Sequence, residues 1–176
     1  MRKTILFIAM SLDGYIADSN GKVDWLQGQG NDDENIDFYS KFVERIDTVF
    51  MGWNTYHQIV SELSINKWMY SDFMTYVFSH EQSNSTKQIQ FTDENPVFHL
   101  KKLKEEKGKD IWICGGANLV DQLMKEDIID EFYISIIPTL LGEGIRLFGH
   151  FENEIKLQLC DMISYNGIID LVYKRR

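Results

Sequence analysis

The sequence predicts an α/β domain, because apolar runs of strand length alternate with helical periodicities, and two of those runs end in glycine where a helix begins. The last third is mostly β and closes on two strand-like segments around Tyr165-Asn166-Gly167, a tight-turn sequence. A chain of 176 residues can bury one substantial core and not two ordinary ones, so residues 1–176 are expected to form a single domain.

Taken in order, Lys3 to Met10 is almost continuously apolar, as a strand buried on both faces requires. Its basic tip and short apolar run have the outline of a signal peptide, but Ser11-Leu12-Asp13-Gly14 follows at once with no small-residue cleavage site. From Ser11 to Asn31 the glycines Gly14, Gly21, Gly28 and Gly30 lie among polar residues, which predicts a long loop anchored by Trp25-Leu26. Asn35 to Ile46 spaces Ile36, Tyr39, Phe42, Val43 and Ile46 as a helix, with Asp32, Asp33 and Glu34 suited to its N-terminal end. Asp47 to Met51 reads as a strand, and Gly52 leads into a helix carrying Tyr56, Ile59, Val60 and Leu63. Thr75 to Ser79 and Gln88 to Phe91 are strands separated by a polar loop, and Phe98 to Lys107 is a helix preceded by Asn95-Pro96. Asp110 to Cys114 is a buried strand, followed by Gly115-Gly116 and a helix from Ala117 to Glu126. Glu131 to Ile137, Lys156 to Ser164 and Ile168 to Lys174 complete the strands.

The formal net charge of -9 argues against nucleic acid or an anionic membrane as partner, since both need a basic surface. No apolar stretch reaches membrane-spanning length. Cys114 and Cys160 lie in strand-like apolar runs and read as reduced core residues, which suggests a cytoplasmic setting. His57, His80, His99 and His150 are scattered and the cysteines lack ligand spacing, so no metal is expected.

Chemistry concentrates at the two glycine junctions. Two glycines ending a buried strand at Gly115-Gly116 allow positive φ and close approach of a ligand to the backbone, while the helix from Ala117 and Asn118 turns its free N–H groups outward. A diphosphate would gain about 0.3 to 1 kcal/mol there from the helix dipole, besides its hydrogen bonds. The bland alternative is a turn where strand and helix pack closely. Phe50-Met51-Gly52-Trp53-Asn54-Thr55 repeats the arrangement, with Thr55 placed either to cap the helix or to bind phosphate oxygen. A dinucleotide has two halves to be gripped, and two such junctions suit it.

These segments, together with Ser11-Leu12-Asp13-Gly14-Tyr15-Ile16-Ala17, Val23-Asp24-Trp25-Leu26, Ile129-Asp130-Glu131 and Pro138-Thr139-Leu140-Leu141-Gly142-Glu143-Gly144 with Leu147-Phe148, resemble one family in order along nearly the whole chain. It is the dihydrofolate-reductase-like superfamily, in the branch similar to the C-terminal reductase domain of bifunctional riboflavin-synthesis enzymes. The resemblance implies a three-layer fold with a central, mostly parallel sheet of about eight strands, flanking helices and a C-terminal β-hairpin. It also implies NADPH across the strand ends, and a homodimer. Carried onto this chain, Ala9 and Met10 would offer backbone groups to the nicotinamide amide, and Gly52, Thr55, Ser79, Gly115, Gly116, Ala117 and Asn118 would line the rest of the cofactor. Trp53-Asn54 stand where the branch has a basic pair and His80 where it often has arginine, so the residues leave NADH open beside NADPH.

The implied activity is hydride transfer from NAD(P)H to a small heterocyclic substrate, as in 5-amino-6-(5-phosphoribosylamino)uracil reductase of riboflavin biosynthesis. Tyr15 replaces a lysine common in those enzymes. A dihydrofolate reductase is the enzymatic alternative, and a non-catalytic nucleotide-binding module the alternative of another class. Asp13, in the loop after the first strand, would orient substrate or relay a proton, or else serve as a turn partner for Gly14. Asp37 stands near the place of a helix carboxylate that supports pterin protonation. Trp25 would wall the substrate pocket or anchor its loop, and Glu143 would reach either ligand or solvent.

Overall fold

A strand apolar on both faces needs cover on both, and β1 (Thr4–Ser11) takes a central place in an eight-stranded sheet. The computed structural model describes residues 1–30, 38–81 and 83–176. The other strands of the sheet are β3 (Ile46–Gly52), β4 (Met74–Phe78), β5 (Ile89–Thr92), β6 (Asp110–Gly115), β7 (Glu131–Ile137), β9 (Leu157–Tyr165) and β10 (Ile168–Arg175), in the order β5-β4-β3-β6-β1-β7-β10-β9. Pairing is parallel from β5 through β7, and β10 runs antiparallel to both β7 and β9. The β9–β10 hairpin turns through Asn166 and Gly167 at φ 45° and 75°, the two positive values that a two-residue type I′ turn demands.

Helices cover the two faces. Leu6 points to one face with α3 (Pro96–Glu105) and α4 (Ala117–Lys125), in a core that includes Phe50, Leu100, Ile113, Leu123 and Phe132. Ile5 points to the other face with α1 (Phe38–Val43) and α2 (Trp53–Gln58), in a core with Phe42, Val49, Met51, Ile59 and Trp112. Each fully buried aliphatic or aromatic side chain among these contributes about 1.5 to 3 kcal/mol. Helix α4 shows how spacing sets the packing: Leu119, Val120, Leu123 and Met124 are buried along one stripe, while Asn118 and Lys125 face outward. Helix α3 starts at Pro96, earlier than the apolar spacing alone suggests, because Asn95 Oδ1 accepts from the N–H groups of Val97 (2.9 Å) and Phe98 (3.3 Å).

Several expectations need correction. The helix expected over 35–46 ends at Val43, since Ile46, 2% exposed, is needed at the head of β3, and Arg45 turns to bind Asp110 and Glu131. Its part before Phe38 lies outside the described residues. Cys160 is exposed on the edge strand β9 and is no core residue, whereas burial pushes the Cys114 thiol up to about 11; both are free. Helix α2 passes into a single π turn, Ile59–Leu63. Two short strands, β2 (Tyr15–Ala17) in a segment expected to be loop and β8 (Ile145–Arg146) in one assigned no element, form a separate antiparallel pair.

Two features open the C-terminal edge of the sheet. Strand β1 pairs with β6 over Thr4–Leu6 only, but with β7 as far as Ser11, so the two central strands part beyond Leu6. The β3–β6 register also shifts between Phe50 and Met51, whose partners are Ile113 and Gly115, leaving Cys114 as the extra residue of a bulge. The chain leaves β1 towards one side of the sheet and β6 towards the other, and such a switch point is where open α/β sheets leave a crevice.

Candidate functional site

Both glycine junctions end in that crevice, and they touch. At the start of α4, Gly116 has φ 97° and ψ 110°, and a β-carbon placed on it would lie 3.5 Å from the Gly52 nitrogen and 3.6 Å from the Gly52 α-carbon. A β-carbon on Gly115 would lie 3.4 Å from Thr55 Oγ1. These are ordinary contact distances, so the two junctions are direct neighbours, and the positive φ of Gly116 is what calls for glycine there. Neither helix start carries a side-chain cap, so the first N–H groups of α4 have no side-chain acceptor. Thr55 does not cap α2; its hydroxyl group faces the double glycine.

Beside the glycines, Ala9 and Met10 lie on the stretch of β1 that has left β6, and both are half-buried. Ile8 reaches across the gap, its Cδ1 3.7 Å from the β-carbon position of Gly115. Ala117 begins α4 behind Gly116, and Asn118 Oδ1 accepts from Gln122 Nε2 at 2.5 Å. Ser79 follows β4, where its N–H donates to the Thr92 carbonyl at 2.9 Å and its Oγ accepts from the Glu81 N–H at 2.9 Å. The structure thus brings Ala9, Met10, Gly52, Thr55, Gly115, Gly116 and Ala117 to one edge, while the N–H of Ser79 is engaged by β5 and its Oγ by Glu81.

Asp13 has a different setting from a proton relay. It accepts from Ser11 Oγ at 2.6 Å and from the backbone N–H groups of Leu141 (3.1 Å) and Gly142 (2.7 Å). The Ser11 hydrogen bond, opposed by desolvation and helped by those amides, holds its carboxyl down to about 2. An ionised acceptor with three donors has no proton to give at neutral pH; Asp13 joins the loop after β1 to the loop before β8. Leu12 N–H to the Thr139 carbonyl (2.9 Å) and Leu147 N–H to the Gly14 carbonyl (3.0 Å) strengthen the same junction. The turn at Gly14 is closed by its N–H donating to the Ser11 carbonyl at 2.9 Å, and the Asp13 carboxylate joins it through Ser11 Oγ, which accepts the Tyr15 N–H at 3.0 Å.

Of the remaining candidates, Trp25 is half-buried and its indole N–H donates to the Lys22 carbonyl at 3.2 Å, which ties it to its own loop. Glu143 is exposed. Asp37 lies outside the described residues. Two polar groups that sequence reasoning missed lie in one lateral row with Ala9: Ser135 on β7 and Asp170 on β10. Asp170 is 1% exposed and accepts from Ser135 Oγ, and burial outweighs that bond and raises its pKa. Only pairing across β7 reveals this carboxyl, because Ile168 to Lys174 otherwise reads as an ordinary strand.

A family model described as the RibD C-terminal domain matches residues 2–167. YwjB of Bacillus subtilis (strain 168), an uncharacterized protein, is 41% identical over 178 residues, covering 99% of this chain and 98% of that one. A solved structure from Shewanella sp. PV-4, ascribed to riboflavin biosynthesis, superposes with a TM-score of 0.84 at 30% identity over 99% of both chains. Dihydrofolate reductase of Schistosoma mansoni superposes with a TM-score of 0.67 at 16% identity, again over 99% of both chains, a likeness of fold. The three-layer, eight-stranded architecture is that of the dihydrofolate-reductase-like fold.

Proposed function

The chain belongs to the RibD C-terminal domain family, and on that premise we propose that it is a reductase using NADPH or NADH on a small heterocyclic substrate. The substrate class nearest the family is a phosphoribosylaminopyrimidine of riboflavin synthesis. One observation carries the reading: the two glycine junctions abut, with Gly116 against the Gly52 backbone. Main-chain N–H groups neutralise a diphosphate without basic side chains, which suits a chain of net charge -9.

The residues present fit such a cofactor. Gly52, Thr55, Gly115, Gly116, Ala117 and Asn118 would hold its diphosphate, and Ala9 and Met10 its nicotinamide; bound there, it would supply the hydride. The protein's own task is then positioning and exclusion of water. Asp13 fixes the two loops that border the end of β1, through the amides of Leu141 and Gly142. Its depressed pKa suits that task and leaves the substrate's proton to another group or to water.

Fluorescence titration with NADPH and NADH, followed by reduction assays on the ribosylaminopyrimidine and on dihydrofolate, tests the proposal. Saturable binding of either nucleotide and turnover of the pyrimidine are expected. Turnover of dihydrofolate alone replaces the substrate, and absence of binding by both nucleotides leaves a non-catalytic module.

A further inference from the structure

Main-chain amides bring no full positive charge to a diphosphate, and among the described residues Arg146 stands beside the start of α4. Among the described residues, Arg2, Arg45 and Arg175 are each tied to a carboxylate. Arg146 is exposed and, among the described residues, forms no such pair. It sits on β8, in register with Tyr15. Its guanidinium carbon lies 4.6 Å from the centre of the Tyr15 ring, and its Nη2 donates to the Tyr15 hydroxyl at 3.0 Å. That hydroxyl donates in turn to the Gly142 carbonyl at 3.1 Å. Arg146 Nη1 is 4.0 Å from the β-carbon position of Gly14. The guanidinium is therefore fixed from below by a ring and from one side by a hydroxyl, with the loop that Asp13 braces around it.

The same residue lines a cleft of about 580 Å³ together with Ala117 and Asn118, the first two residues of α4. The other cation in this cleft, Lys125, is bonded to Asp121 at 2.6 Å, and Glu152 contributes a further negative charge. An anion entering here has one uncommitted arginine to meet. A guanidinium offers a planar fork of donors that matches phosphate oxygens, and one already oriented loses less freedom on binding.

We propose that Arg146, held on Tyr15, is the cation that meets a phosphate of the dinucleotide, approaching from the β2–β8 side of the crevice. This rests on the reductase reading, since it assigns Ala117 and Asn118 to the cofactor. Arg146 then does from the loop side what a basic pair after Gly52 would do from the other. The substrate class of the family carries a phosphate too, so the shared chemistry is a phosphate oxyanion and the test must separate the two sources.

Titrations of wild type, Arg146→Gln, Arg146→Lys and Tyr15→Phe with NADPH give the first arm. Arg146→Gln should weaken NADPH about 30-fold, as loss of a charge-assisted hydrogen bond implies, with Arg146→Lys in between. Tyr15→Phe should weaken it less, because the ring remains. Wild-type affinity should fall more steeply with salt than that of Arg146→Gln. Reduced nicotinamide riboside, which has no phosphate, should bind wild type and Arg146→Gln alike. NADPH affinity of Arg146→Gln within about twofold of wild type overturns the inference, as does equal weakening of the riboside, which would mean a merely structural role. Weakening seen only for ribose 5-phosphate on the NADPH-saturated protein also overturns it, and moves the anion to the substrate. Wild-type protein that binds neither nucleotide overturns the reductase reading as well, whereas normal wild-type binding with an indifferent Arg146→Gln defeats this inference alone.

Discussion

At the end of β6 the chain enters α4 through Gly116 at φ 97°, while at the end of β3 it enters α2 through Gly52 at φ -81° and ψ 163°. The first conformation suits glycine and few others; the second is ordinary extended backbone. A β-carbon on Gly52 meets nothing within 4 Å, and one on Gly116 meets Gly52. The helices differ as well. Helix α4 has nine residues and a buried stripe, whereas α2 has six, buries none of them fully and gives way to a π turn. One junction is rigid and conformationally demanding, the other is a permissive wall. Two sites of like composition can thus divide a binding task unequally, and the constraint lies where φ is positive.

The largest effect that would sharpen this contrast is on binding. Gly116→Asp should raise the Kd for NADPH by more than about 100-fold, since it places a carboxylate at the Gly52 amide where phosphate is proposed to lie. Unchanged affinity by fluorescence titration would remove the site. Next comes stability: Gly116→Ala should cost about 1 to 2 kcal/mol by urea denaturation because alanine resists that φ, while Gly52→Ala should stay within about 0.5 kcal/mol. Equal costs would erase the distinction between the junctions. The smallest effect concerns Thr55, whose hydroxyl faces the glycines and caps nothing. Thr55→Val should leave the melting temperature nearly unchanged and weaken NADPH about fivefold; a large loss of stability with no change in affinity would return Thr55 to a structural role.

Much of this was legible in the residues. The apolar run of Lys3 to Met10 specified a strand covered on both faces, and Gly52 and Gly115-Gly116 marked both junctions, because glycine and periodicity are local signals. The Asn166-Gly167 turn was legible for the same reason. What escaped was made by distant partners. Strands β2 and β8 have three and two residues, too few for any periodicity, and exist because Tyr15 and Arg146 meet across the fold. The setting of Asp13 depends on amides at Leu141 and Gly142, which sequence spacing does not reveal. Asp170 became notable only when pairing with β7 buried it beside Ser135. Cys160 misled because apolar neighbours do not tell an edge strand from an inner one.

The position of β1 has a consequence for how the chain reaches this state. Strand β1 leaves the ribosome long before the two strands that flank it: the Lys3 N–H bonds Asp110, 107 residues away. During synthesis that greasy segment must wait, exposed or chaperoned, until β6 and β7 exist. Loop-closure entropy then makes the capture of β1 a late, slow event, and a nascent chain halted before β6 would be prone to clump.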